Sequence, residues 1–190
     1  MNLPNQITLA RLVLTAVFVA CFYLPWSNHL SIAALVFGLA SITDYLDGSI
    51  ARSRGIVTNF GKLFDSLADK VLIAAAFILL VDLGDLPAWI AIVVLAREFC
   101  VTGIRLIAAG QGAILAAEKL GKHKMVWQII TVSWFLVQRA SAETLFSFAK
   151  PLFALTPAWV PTAIIYFTTL LTLVSGFSYF WKNKHLFNDA

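Results

Sequence analysis

Long apolar runs separated by short polar segments dominate the chain. Runs of this kind predict membrane-crossing helices where about 20 residues are mostly apolar. The stretch Thr144–Pro161 contains three prolines and predicts an outer loop or a short interfacial helix. The pattern predicts an all-α integral membrane protein, with residues 1–190 forming one transmembrane domain. Its six transmembrane helices are expected near Ile7–Pro25, His29–Ile50, Leu67–Val81, Pro87–Ala109, Met125–Val137 and Trp159–Trp181.

Composition excludes two large classes of protein. The 190 residues are 60% hydrophobic and 13% charged, and the mean hydropathy is +0.84. Soluble domains are about half apolar and a quarter charged, and disordered chains are less hydrophobic still. The net charge of +4 comes from cations between apolar segments, which favours anionic lipid over nucleic acid as their partner.

Most basic residues lie at the two chain ends and in every second connection between the six segments, and these positions share one side of the membrane in the predicted topology. The loop between the first two segments has none, and the loop between the third and fourth has only Asp82 and Asp85. The positive-inside rule therefore predicts a multi-pass protein of the cytoplasmic (inner) membrane with both termini cytoplasmic. Arg139 and Lys150 are exceptions. The cations expected on the inner side are Arg11, Arg52, Arg54, Lys62, Lys119, Lys122, Lys124, Lys182 and Lys184.

Four carboxylates are concentrated around the loop between the second and third segments. Asp44 and Asp47 are spaced i,i+3, and Asp65 and Asp69 are spaced i,i+4, so each pair shares one face of its helix. A helical hairpin can turn all four towards one point. Such a cluster near a bilayer is stable only with a cation, and hard oxygen ligands favour Mg²⁺, Mn²⁺ or Ca²⁺. Two ions shared by four carboxylates would suit phosphoryl chemistry.

Small residues lie between these acids. A helix face formed by Asp44, Asp47, Gly48 and Ala51 can hold a flat ring against the backbone, and Arg52 follows it. A less specific interpretation is also open. Acids at a helix end are often simply solvated, and small residues in membrane helices usually serve packing.

The spacing of these residues resembles a family signature. The chain reads D-x-x-D-G-x-x-A-R from Asp44 to Arg52, and G-x-x-x-D-x-x-x-D from Gly61 to Asp69, with eight residues between them. This resembles the signature of the CDP-alcohol phosphatidyltransferases without departure. The expected six-helix bundle is also similar to that family's fold.

The resemblance implies a reaction and roles for the motif residues. The donor would be CDP-diacylglycerol; an acceptor hydroxyl would attack its β-phosphorus and CMP would leave. Two divalent cations, Mg²⁺ or Mn²⁺, would be held by Asp44, Asp47, Asp65 and Asp69, with Asp69 also the general base. A homodimer is implied as well. The residues implied in binding CDP-diacylglycerol are Asn5, Thr8, Gly48, Ala51, Arg52 and Gly61, of which Arg52, Asn5 and Thr8 either meet the phosphates or orient the acids.

Further segments are similar to the family members whose acceptor is glycerol 3-phosphate. They are Pro4-Asn5 with Thr8 and Arg11, Ala96-Arg97-Glu98 with Arg105, and Gly121-Lys122-His123-Lys124 with Gln128; Met125 stands where Thr is usual.

A dianionic acceptor needs cations in its pocket, and the candidates for its phosphate are Arg105, Lys122 and Lys124. The lysines can instead contact lipid head groups. Arg97 and Glu98 either form a structural ion pair, mutually or with another helix, or bind the acceptor.

Three alternatives remain at the level of sequence. The acceptor can be inositol phosphate, serine or another phosphatidylglycerol, with the same chemistry. An intramembrane prenyltransferase also binds a diphosphate through helical aspartates, but it needs no A-R and G spacing. A divalent-cation transporter or structural membrane subunit would be no enzyme, and a transporter would place its acids near the bilayer midplane rather than at one end of the helices.

Overall fold

The structure of the chain, a computed structural model, describes most of the backbone. It covers residues 3–24, 26–54, 59–112, 115 and 119–187. Side chains are described for residues 9–24, 26–43, 68, 70–112, 115, 120–184 and 186. The side chains of the Asp44–Asp69 motif therefore lie outside the described residues, although most of its backbone lies inside them.

Helices make up most of the described residues, which contain no strand. This confirms the prediction of an all-α protein. Each of the six apolar segments corresponds to a long helix, and the proline-containing stretch holds a short one with Pro151 in its first turn. The helices are α1 (Leu3–Tyr23), α2 (His29–Arg54), α3 (Asn59–Asp82), α4 (Ala88–Gly110), α5 (Lys119–Ala140), α6 (Lys150–Leu155) and α7 (Trp159–Lys182), with 3₁₀ turns at Ser147–Ala149 and Lys184–Phe187.

Three helices extend well beyond the apolar segments that predicted them. Helix α2 continues to Arg54, α3 begins at Asn59, and α5 begins at Lys119. Hydrophobic runs mark only the part of a helix that avoids water, whereas the helix continues as long as its backbone hydrogen bonds do. Of the four motif aspartates, Asp65 lies in such an extension, at the start of α3, and the other three lie within the predicted segments.

The chain divides into two compact units. Unit 1 comprises Met1–Asp85 and Val132–Pro157, and unit 2 comprises Leu86–Thr131 and Ala158–Ala190. In unit 1, α1 packs against both α2 and α3. Phe18 and Phe37, both almost fully buried, have ring centroids 5.6 Å apart at the α1–α2 contact. This packing fixes α2 and α3, the two helices of the motif.

Unit 2 is built on the contact between α4 and α7. Its apolar cluster contains Val101, Ile104 and Ala108 of α4, Tyr179 of α7, and Leu186. Helix α4 ends where Gly112 adopts a left-handed conformation, with φ +74°, a position that favours glycine. The first half of α5 belongs to this unit.

Helix α7 has the burial pattern expected of a membrane helix. Its inward face is largely hydroxylic, with Thr168, Thr172 and Ser175 buried, whereas Phe167, Leu170 and Phe177 on its other face are exposed. Among the described residues, α7 is the one helix that is both long and apolar enough to cross a membrane, and Leu9–Tyr23 and His29–Thr43 form shorter apolar helical segments.

Candidate active site

The aspartate motif occupies consecutive turns of two helices in unit 1. Asp44 and Asp47 lie in the second half of α2, and Asp65 and Asp69 lie in the first half of α3. Because the backbone of α2 and α3 is helical at these positions, the two positions of each pair share one side of their helix. The donor set, four carboxylates with no His or Cys at the motif positions, suits hard divalent cations. The remaining side chains that the structure describes contain no group of three or more potential metal ligands.

The residues expected to bind CDP-diacylglycerol lie on the same helices or on α1. Gly48, Ala51 and Arg52 lie on α2, Gly61 lies on α3, and Asn5 and Thr8 lie near the start of α1. Their side chains are outside the described part of the chain. The structure therefore assigns these residues to helices of one unit and leaves their roles as predictions.

The acceptor candidates lie in unit 2. Arg105 is on α4, and Lys122 and Lys124 are in the first turns of α5. Arg105 and Lys122 are exposed, whereas Lys124 is buried with 4% of its surface accessible. The three candidates therefore have different environments despite their common charge.

Arg105 is held by an aromatic residue of α7. Its Nε donates a hydrogen bond of 3.1 Å to the hydroxyl oxygen of Tyr179, and its Cζ lies 5.5 Å from the centroid of the Tyr179 ring. Tyr179 is 2% exposed. Sequence reasoning missed Tyr179, because a single tyrosine in an apolar helix carries no signal of what its hydroxyl meets.

Lys124 is buried against a carboxylate. Its ammonium donates to Oε1 of Glu98 on α4, and Nη1 of Arg97 lies 3.5 Å from the same oxygen. The side chains of Lys124, Glu98 and Arg97 are 5%, 15% and 11% exposed. Sequence left open whether Glu98 pairs with its neighbour or with another helix, and the structure shows that it does both.

Two glycines border the Arg97 side chain. A Cβ added to Gly176 of α7 would lie 2.9 Å from Cγ of Arg97, closer than real Cβ contacts come. A Cβ on Gly121 of α5 would lie at an ordinary 3.7 Å from Nη2. Gly176 therefore makes the room in which the Arg97 side chain lies. Sequence reasoning gave Gly176 no role, since it has no motif around it.

Two buried donors of unit 2 lack a hydrogen-bond partner among the described residues. They are Nε of Arg97 and Nε2 of Gln128. Gln128 is one helical turn after Lys124 on α5. Farther along α5, the hydroxyl oxygen of Thr131 lies 2.7 Å from that of Thr168 on α7. The polar face of α5 thus continues from the buried lysine deep into the helix bundle of unit 2.

Within unit 1, the segment after α5 makes polar contacts with the start of α2. The backbone amides of Leu30 and Ser31 donate to the two carboxylate oxygens of Glu143, at 3.0 and 2.7 Å. Oδ1 of Asn28, whose backbone φ is +63°, accepts hydrogen bonds from Thr144 and Leu145. The α1–α2 connection and the segment after α5 therefore lie at the same end of unit 1.

Arg139, an exception to the predicted charge pattern, has a partner at this end. Its guanidinium makes hydrogen bonds of 2.7–3.1 Å to the carboxylate of Asp85 and one to the carbonyl of Leu83. Asp85 follows α3 in the connection to α4. The cation that departs from the predicted charge pattern is thus paired with an acid of the connection between α3 and α4.

Comparison with known proteins decides the family. A family model described as CDP-alcohol phosphatidyltransferase matches residues 1–174. The chain belongs to this family. The family resemblance carried by the aspartate motif is therefore confirmed, and the chain is a phosphatidyltransferase-family enzyme. The family is membrane-associated and generally depends on divalent metal.

Similar members of the family have named activities. A CDP-diacylglycerol–glycerol-3-phosphate 3-phosphatidyltransferase of Bacillus subtilis (strain 168) is 45% identical, covering 96% of this chain and 95% of its own. A Rickettsia felis protein of the same name is 34% identical over 98% and 97% of the two chains. A probable phosphatidylglycerophosphate synthase of Mycobacterium tuberculosis (strain H37Rv) is 40% identical over 72% of this chain and 66% of its own.

Proposed function

We propose that the chain transfers the phosphatidyl group of CDP-diacylglycerol to glycerol 3-phosphate, giving phosphatidylglycerophosphate and CMP. The observation that carries this proposal is the 45% identity, over nearly the full length of both chains, to a relative named for this reaction. The intact aspartate motif supports it, because the residues that distinguish the family are all present at their spacing.

The motif would hold the metal and move one proton. Two divalent cations, Mg²⁺ or Mn²⁺, bound by Asp44, Asp47, Asp65 and Asp69, would supply positive charge beside the donor diphosphate. Asp69 accepts the proton of the attacking glycerol 3-phosphate hydroxyl. A new oxygen–phosphorus bond forms at the β-phosphorus, and the bond to the CMP oxygen breaks. The helical positions of these residues support the assignment, since the spacing of each pair places it on one face of its own helix, α2 or α3.

Helix residues around the motif would bind the donor. Gly48, Ala51 and Gly61 leave room for the cytidine, because a side chain no larger than a methyl group stands at each position. Arg52, with Asn5 and Thr8, either contacts the nucleotide phosphates or orients the acids.

The acceptor phosphate would be bound by Arg105, Lys122 and Lys124. A phosphate dianion is best met by guanidinium and ammonium groups. The exposure of Arg105 and Lys122 supports direct contact with a soluble acceptor. Lys124 already has a carboxylate partner, so its contribution would be to add positive potential from a fixed position.

We also place the enzyme across the cytoplasmic membrane as one six-helix domain, with both termini cytoplasmic and two copies forming a dimer. Five helices have 22 to 26 residues and α1 has 21, against the about 20 that a bilayer requires. The shared end of the α1–α2 connection, Asp85 and Arg139 agrees with this topology. The donor also demands it, because its acyl chains need lipid and its nucleotide needs water.

The proposal is tested by CMP release from purified protein in detergent with CDP-diacylglycerol, Mg²⁺ and one acceptor at a time. Glycerol 3-phosphate is expected to support release, and inositol phosphate, serine and phosphatidylglycerol are not. Asp69→Asn should abolish release, while Asp82→Asn, the same change at the exposed end of α3, should leave it intact. Release with another acceptor alone would overturn the acceptor, and full activity of Asp69→Asn would overturn its role as base.

A further inference from the structure

The contact between Arg105 and Tyr179 leaves one side of the guanidinium available. Nε of Arg105 is engaged by the Tyr179 hydroxyl. Its two terminal nitrogens, Nη1 and Nη2, have no partner among the side chains that the structure describes, and the residue is exposed. Two parallel N–H groups directed away from a fixed third donor are the arrangement that binds a phosphate in bidentate fashion.

Tyr179 is itself held firmly. Its ring packs in the apolar cluster with Val101 and Ile104 of α4. Its backbone carbonyl accepts a hydrogen bond of 2.7 Å from Nδ2 of Asn183, just beyond the end of α7. A side chain packed in this way has lost its rotamer freedom at folding, so holding Arg105 adds little further entropic cost when a ligand binds.

We propose that Tyr179 is a positioning residue for the acceptor: its buried hydroxyl holds Arg105 so that the two terminal guanidinium nitrogens meet the phosphate of the acceptor alcohol. This inference rests on the proposed function, because it takes the phosphorylated acceptor as the ligand of Arg105. Tyr179 belongs neither to the aspartate motif nor to the basic residues proposed to bind the acceptor phosphate. Its contact with Arg105 is what indicates its role.

The arrangement has a specific kinetic consequence. In this assignment Tyr179 contacts neither the reacting atoms nor the substrate. Loss of its hydroxyl would therefore free the Arg105 side chain to move without removing any charge. Affinity for the acceptor falls, while the chemical step at saturating acceptor is conserved. A residue needed only for folding would instead lower the amount of active enzyme and leave KM unchanged.

The test is Tyr179→Phe, which keeps the ring and removes only the hydroxyl. At saturating CDP-diacylglycerol, KM for glycerol 3-phosphate should rise about fivefold, the scale of one lost hydrogen bond. The kcat and the KM for CDP-diacylglycerol should change less than twofold. Tyr166→Phe is the matched control on the same helix, since Tyr166 is exposed and its ring lies against Trp89; its kinetics should equal those of the wild type.

A double-mutant cycle distinguishes positioning from general structure. Arg105→Ala should raise the acceptor KM more than Tyr179→Phe does, and adding Tyr179→Phe to it should have no further effect. Arg105→Lys, which keeps the charge but not the fork, should not restore the wild-type KM. Unchanged KM in Tyr179→Phe, or fully independent effects in the double variant, would overturn the inference. Absence of CMP release from wild-type protein with glycerol 3-phosphate would instead overturn the proposed function.

Discussion

Glu98 is a carboxylate that two buried cations of unit 2 share. The side chain of Lys124 is 5% exposed, and its ammonium donates to Glu98. Arg97 brings a second positive charge to the same oxygen. A buried ion pair adds little net stability, but removing one member leaves the other charge buried without compensation. Loss of the Glu98 charge would remove the carboxylate that both cations contact in a largely buried place.

Replacement of Glu98 by Gln should therefore destabilise the protein strongly. We expect a loss of about 3 kcal/mol or more in the free energy of unfolding, seen as a lower midpoint of thermal unfolding in detergent. Adding Lys124→Met should recover part of the loss, since one of the two neighbouring cations is gone. Asp82→Asn, at an exposed carboxylate, is the control and should unfold like the wild type. A wild-type midpoint for Glu98→Gln would contradict the role given to this carboxylate.

The sequence predicted part of the charge cluster formed by Arg97, Glu98 and Lys124. Adjacent Arg97 and Glu98 in an apolar run indicate that the charges must find partners. The partner on α5 could not be identified, because the packing of α4 against other helices is not encoded in any local spacing. Tyr179 and Gly176 were missed for the same reason. Their roles arise from contacts between residues more than 70 positions apart.

At the scale of helices, Glu143 acts on the start of α2. The first amides of a helix have no partner inside it, and a carboxylate that accepts from them also interacts favourably with the helix dipole. Burial raises the pKa of the Glu143 carboxyl, but the hydrogen bonds from Ser31 and Leu30 and the proximity of His29 outweigh burial, so its pKa lies below the usual 4.5. The folded state is thus stabilised by the charged form.

The stability contribution of Glu143 should depend on pH in one direction. Because its folded pKa is below its unfolded value of about 4.5, the contribution is complete above that pH and is lost as the pH falls through the folded pKa. Glu143→Gln should cost about 1 kcal/mol at pH 7. Thermal unfolding of both proteins from pH 7 to below pH 4 measures this. The difference should shrink in acid, and a constant difference would show that the charge is unimportant.

The helices themselves were largely predictable. Apolar runs predicted all six long helices, because a helix that avoids water along most of its length leaves a long apolar run in the sequence. Their polar ends were not predicted: α3 begins at Asn59 rather than near Leu67, and α5 at Lys119 rather than Met125. The aspartate motif was nevertheless placed on helices, since its i,i+3 and i,i+4 spacing is helical. The roles of the motif side chains remain a prediction from the sequence.

At the scale of the whole molecule, several polar side chains are buried while large aromatic side chains are exposed. Arg11, Gln128 and Thr172 are buried, whereas Trp26, Trp159 and Trp181 are exposed by more than half of their surface. Exposed aromatic rings at both ends of helices match residence at membrane interfaces. The membrane assignment therefore has support from the fold as well as from the family.

The topology makes a prediction that labelling can check. In a protein with Cys21 and Cys100 replaced by Ala, a cysteine at Ser27, in the α1–α2 connection, should react in intact cells with a membrane-impermeant maleimide. A cysteine at Lys184, after α7, should react only once the membrane is opened. Both positions are exposed, so access to the reagent depends on the side of the membrane. Labelling of Lys184→Cys in intact cells would contradict cytoplasmic termini.

The central claim, that the aspartates of α2 and α3 hold divalent cations for the donor, is tested most directly by Mn²⁺ binding. Purified protein in micelles containing CDP-diacylglycerol is titrated with Mn²⁺, and free Mn²⁺ is measured by electron paramagnetic resonance. Two ions per chain should bind to the wild type and to Asp82→Asn, and binding should be lost in Asp65→Asn. Undiminished binding of Mn²⁺ by Asp65→Asn would contradict this claim.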